Sequence, residues 1–264
     1  MDKKISNLLS LLDDENEQVA NIAMAELFQV DINLDEILKE FQEDSNPLLR
    51  KRIHQLQIIQ TRRAKRKKIS ILLKNNDITL IDGLMALHSQ WYDKDSKNTI
   101  NQYWLALIEN FKKSNVTSLN ELGTFMKKHG FKCANKDEID PDYFCFGLVL
   151  EDLVGADFIL CSIAYTLAQI ANINLKTIFH FGDFVLIDSN SVLSPKNAWF
   201  TNKYSNIEKS EIWDTQSILK LNTTKLFLSA VSSDSFRYVK TFGLILSEAY
   251  GKDELSLPYP YSGE

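Results

Sequence analysis

Residues 155–188 read GADFILCSIAYTLAQIANINLKTIFHFGDFVLID, and this stretch decides how the chain folds. From Phe158 to Ala171 nearly every side chain is apolar. A helix there has no face to offer water, so it belongs at the centre of a domain. Two runs of strand length come next. Leu175 to Phe179 is rich in β-forming residues, and Phe184-Val185-Leu186-Ile187 comes after Gly182-Asp183, a pair suited to a hairpin turn. A buried helix followed by paired short strands predicts an α+β core with a small antiparallel sheet.

The chain on the N-terminal side of this core reads as helix. Ile5, Leu8, Leu9 and Leu12 recur at helical spacing before Asp13-Asp14-Glu15-Asn16 interrupts them, and Val19, Ile22, Ala23, Leu27 and Phe28 define a second helix. The scheme returns about thirty residues later. Ile37, Leu38 and Phe41 lead to Glu43-Asp44-Ser45-Asn46, and Pro47 suits the first turn of a helix carrying Leu48, Leu49, Ile53, Leu56 and Ile59. Two helix–turn–helix units with matching acidic turns are the pattern of a short HEAT-like repeat over residues 1–70. Such a pair cannot bury its faces alone and should pack on the adjoining C-terminal segment. Residues 77–111 continue helical, with Trp91-Tyr92 and Tyr103-Trp104 at core spacing, and Leu119 to Met126 forms a short helix closed by His129-Gly130. Phe144 to Leu153 reads as an apolar helix, residues 189–215 as loop, and 215–231 and 235–250 as two final helices before the tail Leu257-Pro258-Tyr259-Pro260-Tyr261. The expected division is 1–70, 71–214 and 215–264.

Composition sets wider bounds. The 264 residues are 44% apolar and 25% charged, which excludes a disordered or fibrous chain. A formal charge of −5 excludes a global polycation. Charge is unevenly placed, however: Arg50 to Lys68 holds nine basic side chains and no acidic one, leaving −14 on the remainder. Arg50, Arg52, Arg62, Arg63, Lys65, Arg66, Lys67 and Lys68 could form a phosphate-binding stripe for nucleic acid. Because no aromatic or base-reading residue interleaves with them, a solvated helix face is the plainer reading. Three cysteines, Cys133, Cys145 and Cys161, are too few and too apolar in setting for a disulfide framework. With a start that lacks a long apolar stretch and no run of ~20 apolar residues, the expectation is a cytoplasmic protein without a membrane span.

The order of helical repeat, helical linker, buried helix and short strands resembles the bacterial SirB-type transglutaminase-like family. The likeness rests on His129-Gly130-Phe131-Lys132, Asp140-Pro141, Phe144 to Glu151, the helix from Gly155 to Ala168 with its exit at Ile173-Asn174-Leu175, Phe181-Gly182-Asp183-Phe184-Val185-Leu186, and Ile187-Asp188. It spans roughly residues 5 to 190 as an ordered set of signals, none of them specific alone. The resemblance implies a papain-like core in which a cysteine at the head of the buried helix attacks, a strand histidine takes its proton and an aspartate orients the histidine. On this chain those two positions fall on Asp157 and Asp183. Neither carboxylate can act as a thiolate. The expectation is therefore a degenerate site, a pseudoenzyme working as a protein-interaction or regulatory module with a protein partner.

The alternative is a displaced triad of Cys161, His180 and Asp188 serving acyl transfer or hydrolysis. Cys161 lies one turn beyond Asp157 on the same helix face, although burial there would raise its thiol pKa. Two carboxylates facing one cleft would also suit acid–base work. His129, Cys133 and Cys145 imitate part of a zinc set but lack a fourth ligand. No glycine-rich phosphate loop or other cofactor motif occurs, so no cofactor or metal is expected.

Overall fold

A computed structural model of the chain describes residues 3–30, 34–135, 139–203 and 210–251. It divides into two compact units, Met1–Lys65 and Arg66–Glu264. The chain is mostly helical α+β, with a small antiparallel sheet in the second unit.

In the first unit α1 (Lys3–Ser10) runs through a 3-10 turn, Leu11–Asp13, towards α2 (Glu17–Leu27), and α3 (Leu34–Phe41) precedes the long α4 (Pro47–Lys74), whose residues from Arg66 onward belong to the second unit. Ile5, Leu9, Leu12, Leu27, Leu38, Ile53 and Leu56 form its core. The two acidic turns match in bonding as well as in sequence. The Asn16 amide donates to Asp14 Oδ1 at 2.8 Å, and the Asn16 side chain accepts from Gln18 N at 2.9 Å. Asn46 repeats this, with its amide on Asp44 Oδ1 at 2.8 Å and its side chain accepting from Leu48 N at 2.9 Å. Each asparagine thus satisfies a free N–H at a helix start.

In the second unit α5 (Leu80–Trp91), α6 (Lys97–Lys113) and α7 (Leu119–Lys128) follow the helical spacing of the sequence. Thr79, Ser96 and Ser118 cap them by accepting from Asp82, Thr99 and Glu121 amides. Gly130, at φ +87, closes α7, with its amide and that of Phe131 donating back to Lys127 and Met126 carbonyls. A parallel two-residue pair, β1 (Lys132–Cys133) and β2 (Val154–Gly155), flanks the short helix α8 (Phe146–Asp152). Then comes the central helix α9 (Asp157–Ile170), where Phe158 to Ala164 are all buried.

The sheet comprises β3 (Lys176–His180), β4 (Asp183–Ile187), β5 (Ser191–Leu193), β6 (Thr201–Lys203) and β7 (Glu211–Ile212), in the order β6-β5-β4-β3-β7, every pair antiparallel. It packs on α9 through β3 and β4. Register Thr177↔Leu186 and Phe179↔Phe184 sends Phe184, Leu186 and Leu193 into the main core, while Ile178, Val185 and Ile187 form a separate cluster with Val192. The hairpin turn is Phe181-Gly182, one residue earlier than expected: His180 pairs with Asp183, and Asp183 opens β4. Both turn residues have positive φ, +48 and +85, the backbone of a type I′ turn whose twist matches that of the strands. Residues 189–215, expected as loop, instead hold β5, β6 and β7, each at most three residues long and too short for alternation to show. The last helices, α10 (Thr215–Ser232) and α11 (Phe236–Tyr250), belong to the second unit and complete its core with Leu219, Leu226, Phe242 and Ile245. The tail Leu257 to Tyr261 lies outside the described residues.

Candidate functional site

The head of α9 is where the resemblance placed a nucleophile, and a carboxylate network occupies it. Asp157 is the first helical residue. Its Oδ1 accepts from Phe158 N at 2.8 Å and its Oδ2 accepts from Phe184 N of β4 at 3.1 Å. The same Oδ2 lies 3.3 Å from the Lys196 ammonium, which also bonds Asp183. A negative charge at a helix start complements its free amides and dipole, and this one additionally fastens helix to sheet. Asp157 and Asp183, read from sequence as degenerate site positions, are thus brought together, and Lys196 joins them from the β5–β6 loop. Hydrogen bonds to the two carboxylates hold the Lys196 ammonium above the usual lysine range against the opposing effect of burial.

This network borders a cleft of about 400 Å³. Tyr143, Phe144, Phe158, Phe179, Phe184 and Trp213 line it, with Cys133 and Asp157 among the polar contributors. Their rings touch in series: Phe144 and Phe158 centroids are 6.0 Å apart, Phe158 and Phe184 5.8 Å, and Phe184 meets Trp213 edge-on at 4.9 Å. Trp213 is set by its amide, which donates to Thr177 O at 2.9 Å, and by Asp214, which caps α10 by accepting from Ser217 N. Leu221 and Lys225, one helical turn apart on α10, supply the remaining wall.

The displaced triad does not assemble. Cys161 is wholly enclosed in the core, where its Sγ lies 3.4 Å from Phe184 O, and burial pushes its thiol well above the ordinary range. His180 binds Ser210 Oγ through Nδ1 at 2.8 Å. Asp188 follows the far end of β4, accepting from the Asn190 and Ser191 amides as a turn residue. Because His180 pairs with Asp183 at the opposite end of that strand, about 16 Å of backbone separates it from Asp188. The physical reason is the hairpin itself, which directs the two residues to opposite ends.

The zinc-like spacing resolves into unrelated places. His129 Nδ1 contacts Phe125 O at 3.0 Å, Cys145 is buried, and Cys133 borders the cleft. Among the described residues, no group of three or more His, Cys, Asp or Glu is arranged to hold a metal. Burial and the nearby Asp157 carboxylate push the Cys133 thiol up to about 11.

Much of the basic stretch on α4 serves structure. Arg52 is 6% exposed and donates to Leu12 O at 2.6 Å and to Asp14 O, closing the end of the 3-10 turn. Arg50 donates to Asp44 O at 3.1 Å, Arg63 lies 4.0 Å above the Phe28 ring, and Arg66 pairs with Glu248 at 3.4 Å. Lys65 also has a partner, and Arg62, Lys67 and Lys68 stand exposed. Among the described residues no helix is long and apolar enough to cross a membrane.

Sequence reasoning missed Lys196, Trp213 and Lys225. Lys196 sits in a Ser-Pro-Lys-Asn stretch indistinguishable from any polar loop, and Trp213 precedes a helix cap with no motif around it. No protein-family model, curated protein or solved structure matches the chain.

Proposed function

We propose that the chain is a non-catalytic binding protein, a regulatory module that acts through a protein partner, built on a degenerate transglutaminase-like core of the SirB type. The observation that carries this reading is the ion-paired Asp157 at the head of α9, one turn before the enclosed Cys161. The position that would need a low-pKa sulfur carries a carboxylate held by Lys196 and Phe184 N, and such a group can hold a structure together but cannot serve as a thiolate nucleophile. A central helix packed across antiparallel strands supports the proposed scaffold.

Phe181 supports the partner. It is 92% exposed at the hairpin tip, in a left-handed backbone that costs a bulky residue energy, and it directly precedes Gly182 of the cleft wall. An exposed aromatic kept in an unfavourable conformation suits an anchor for a partner's pocket. The alternative thiol chemistry through Cys161, His180 and Asp188 has no observation in its favour.

Iodoacetamide labelling of the folded chain at pH 7.5, followed residue by residue by mass spectrometry, tests the reading. All three thiols should react far more slowly than free cysteine. A thiol that reacts as fast as free cysteine, or faster, overturns it.

A further inference from the structure

We propose that the aromatic cleft between α9, the sheet and α10 binds a single small, uncharged aromatic molecule. This goes beyond the regulatory reading, which stands or falls on its own labelling experiment.

The floor of the cleft is fixed and its walls are open. Phe144, Phe158 and Phe184 are each at most 5% exposed, so packing behind them holds their rings in place and only a small part of each reaches the cavity. Above them Ile139 is 45% exposed, Phe179 is 37% exposed and Leu221 is half-buried, and all three line the same space. The Phe179 ring is held at 5.0 Å from Phe184 and 6.3 Å from Trp213, centroid to centroid, which keeps this wall standing without a ligand. A molecule seated on that floor loses water on several sides at once, and about 400 Å³ suits one small ligand. Its neighbours there are rings in tilted and edge-on contact, with Phe184 and Trp213 at 86°, an arrangement that a further ring extends with a gain beyond the area it buries.

The charges argue for a neutral guest. Three charged side chains line the cleft, Asp157, Lys196 and Lys225. Asp157 and Lys196 face each other at 3.3 Å, and the Asp157 carboxylate also accepts from the Phe158 and Phe184 amides. Lys225 is half-buried at the surface of α10, where solvent screens its charge. A charged ligand would leave water for an apolar lining whose buried charges are already committed, and an uncharged one avoids that cost.

The probe is 1-anilinonaphthalene, with its 8-sulfonate as an anionic counterpart of the same body, each followed by its own fluorescence and by isothermal titration. The neutral dye should bind at one site per chain, at least tenfold more tightly than the sulfonate. Leu221→Trp fills the cleft from α10 and should weaken the neutral dye about tenfold, whereas Leu105→Trp, on the exposed face of α6 and outside the lining, should leave it unchanged. A thermal scan checks that both variants keep the native melting temperature. Ile139→Asp, a change at a half-exposed wall position, should also weaken the neutral dye and provides the same reading if Leu221→Trp does not fold. No binding of the neutral dye, a sulfonate that binds as tightly, or a loss as large in Leu105→Trp as in the cleft variants would each overturn the proposal.

Discussion

The Lys196 ammonium stands 3.3 Å from Asp157 at the head of the central helix and bonds Asp183 at the first residue of β4. One loop lysine therefore clamps helix and hairpin at the edge of the cleft. Both partners of the longer pair are largely shielded, with side chains 23% and 14% exposed, so water screens it less than it screens a surface ion pair.

Removing that clamp should loosen the second unit. Lys196→Met leaves two neighbouring carboxylates without their shared cation and should cost about 1–3 kcal/mol in urea unfolding. Lys196→Arg, which keeps the charge, should recover most of the loss. Unchanged stability in Lys196→Met would show that the cluster contributes nothing to holding the fold.

The thiols make stability depend on alkaline pH. The Cys133 thiol moves from its ordinary value of 9.0 up to about 11, and burial drives Cys145 and Cys161 well above that ordinary value too. A folded state that favours the protonated thiol keeps this contribution in full below about pH 9 and loses it as pH rises towards 11. Equilibrium unfolding should weaken over that window, and less so in Cys133→Ala.

His88 gives the opposite dependence at mild acid. Its Nδ1 accepts from Gly147 N at 3.3 Å and its Nε2 lies 3.1 Å from Asp95, an arrangement suited to the neutral ring. Burial lowers its pKa from 6.5 despite the opposing Asp95 carboxylate. The folded state then binds fewer protons, so stability is complete above about pH 6.5 and falls as pH drops below it. Melting at pH 7.5 and 5.5 should show the decline, and His88→Gln should flatten it. Gly147→Ala would place a methyl 2.7 Å from the buried ring and should cost about 1–3 kcal/mol.

Arg52 separates structural from nucleic-acid readings of the basic stretch. Arg52→Met strands the carbonyls of Leu12 and Asp14 and should destabilise the Met1–Lys65 unit by about 2–4 kcal/mol, seen as faster proteolysis there. Lys67→Glu with Lys68→Glu, both exposed, should leave stability within about 0.5 kcal/mol. Salt-sensitive heparin binding abolished by the latter pair would favour the nucleic-acid reading.

Phe181 is the residue whose local cost is open to test. Phe181→Asn gives the turn the Asn-Gly pair that its backbone favours and should raise stability by about 0.5–1 kcal/mol. A fall in melting temperature would mean that the exposed ring contributes to folding rather than to a partner.

Long elements with strong patterns are legible in the sequence. The central helix is expected from Phe158 to Ala171 and observed over Asp157–Ile170, and the final helices agree within a few residues. The paired turns at Asp14 and Asp44 are visible because their Asp-x-Asn spacing repeats the same capping geometry. Short strands are not. Glu211–Ile212 exists only because Ile178 and Phe179 lie alongside it, and two residues carry no period. The hairpin turn lies one residue earlier than expected because the pair Gly182-Asp183 resembles a turn more than Phe181-Gly182 does. Asp157 and Asp183 stand out in the sequence, but the lysine between them does not.

Taken by itself, the sequence determined which segments are helix, which helix is central, and that the head of that helix carries an acid. Apolar periodicity and capping chemistry act within a few residues, so they survive in one dimension. Only the tertiary structure decided that Cys133, Phe158, Phe184, Lys196, Trp213 and Lys225 surround a single cleft, and that Cys161, His180 and Asp188 do not meet. Periodicity tells a side chain to leave water, but which distant segment receives it depends on sheet register and packing, where each contact exists only once all the others have formed.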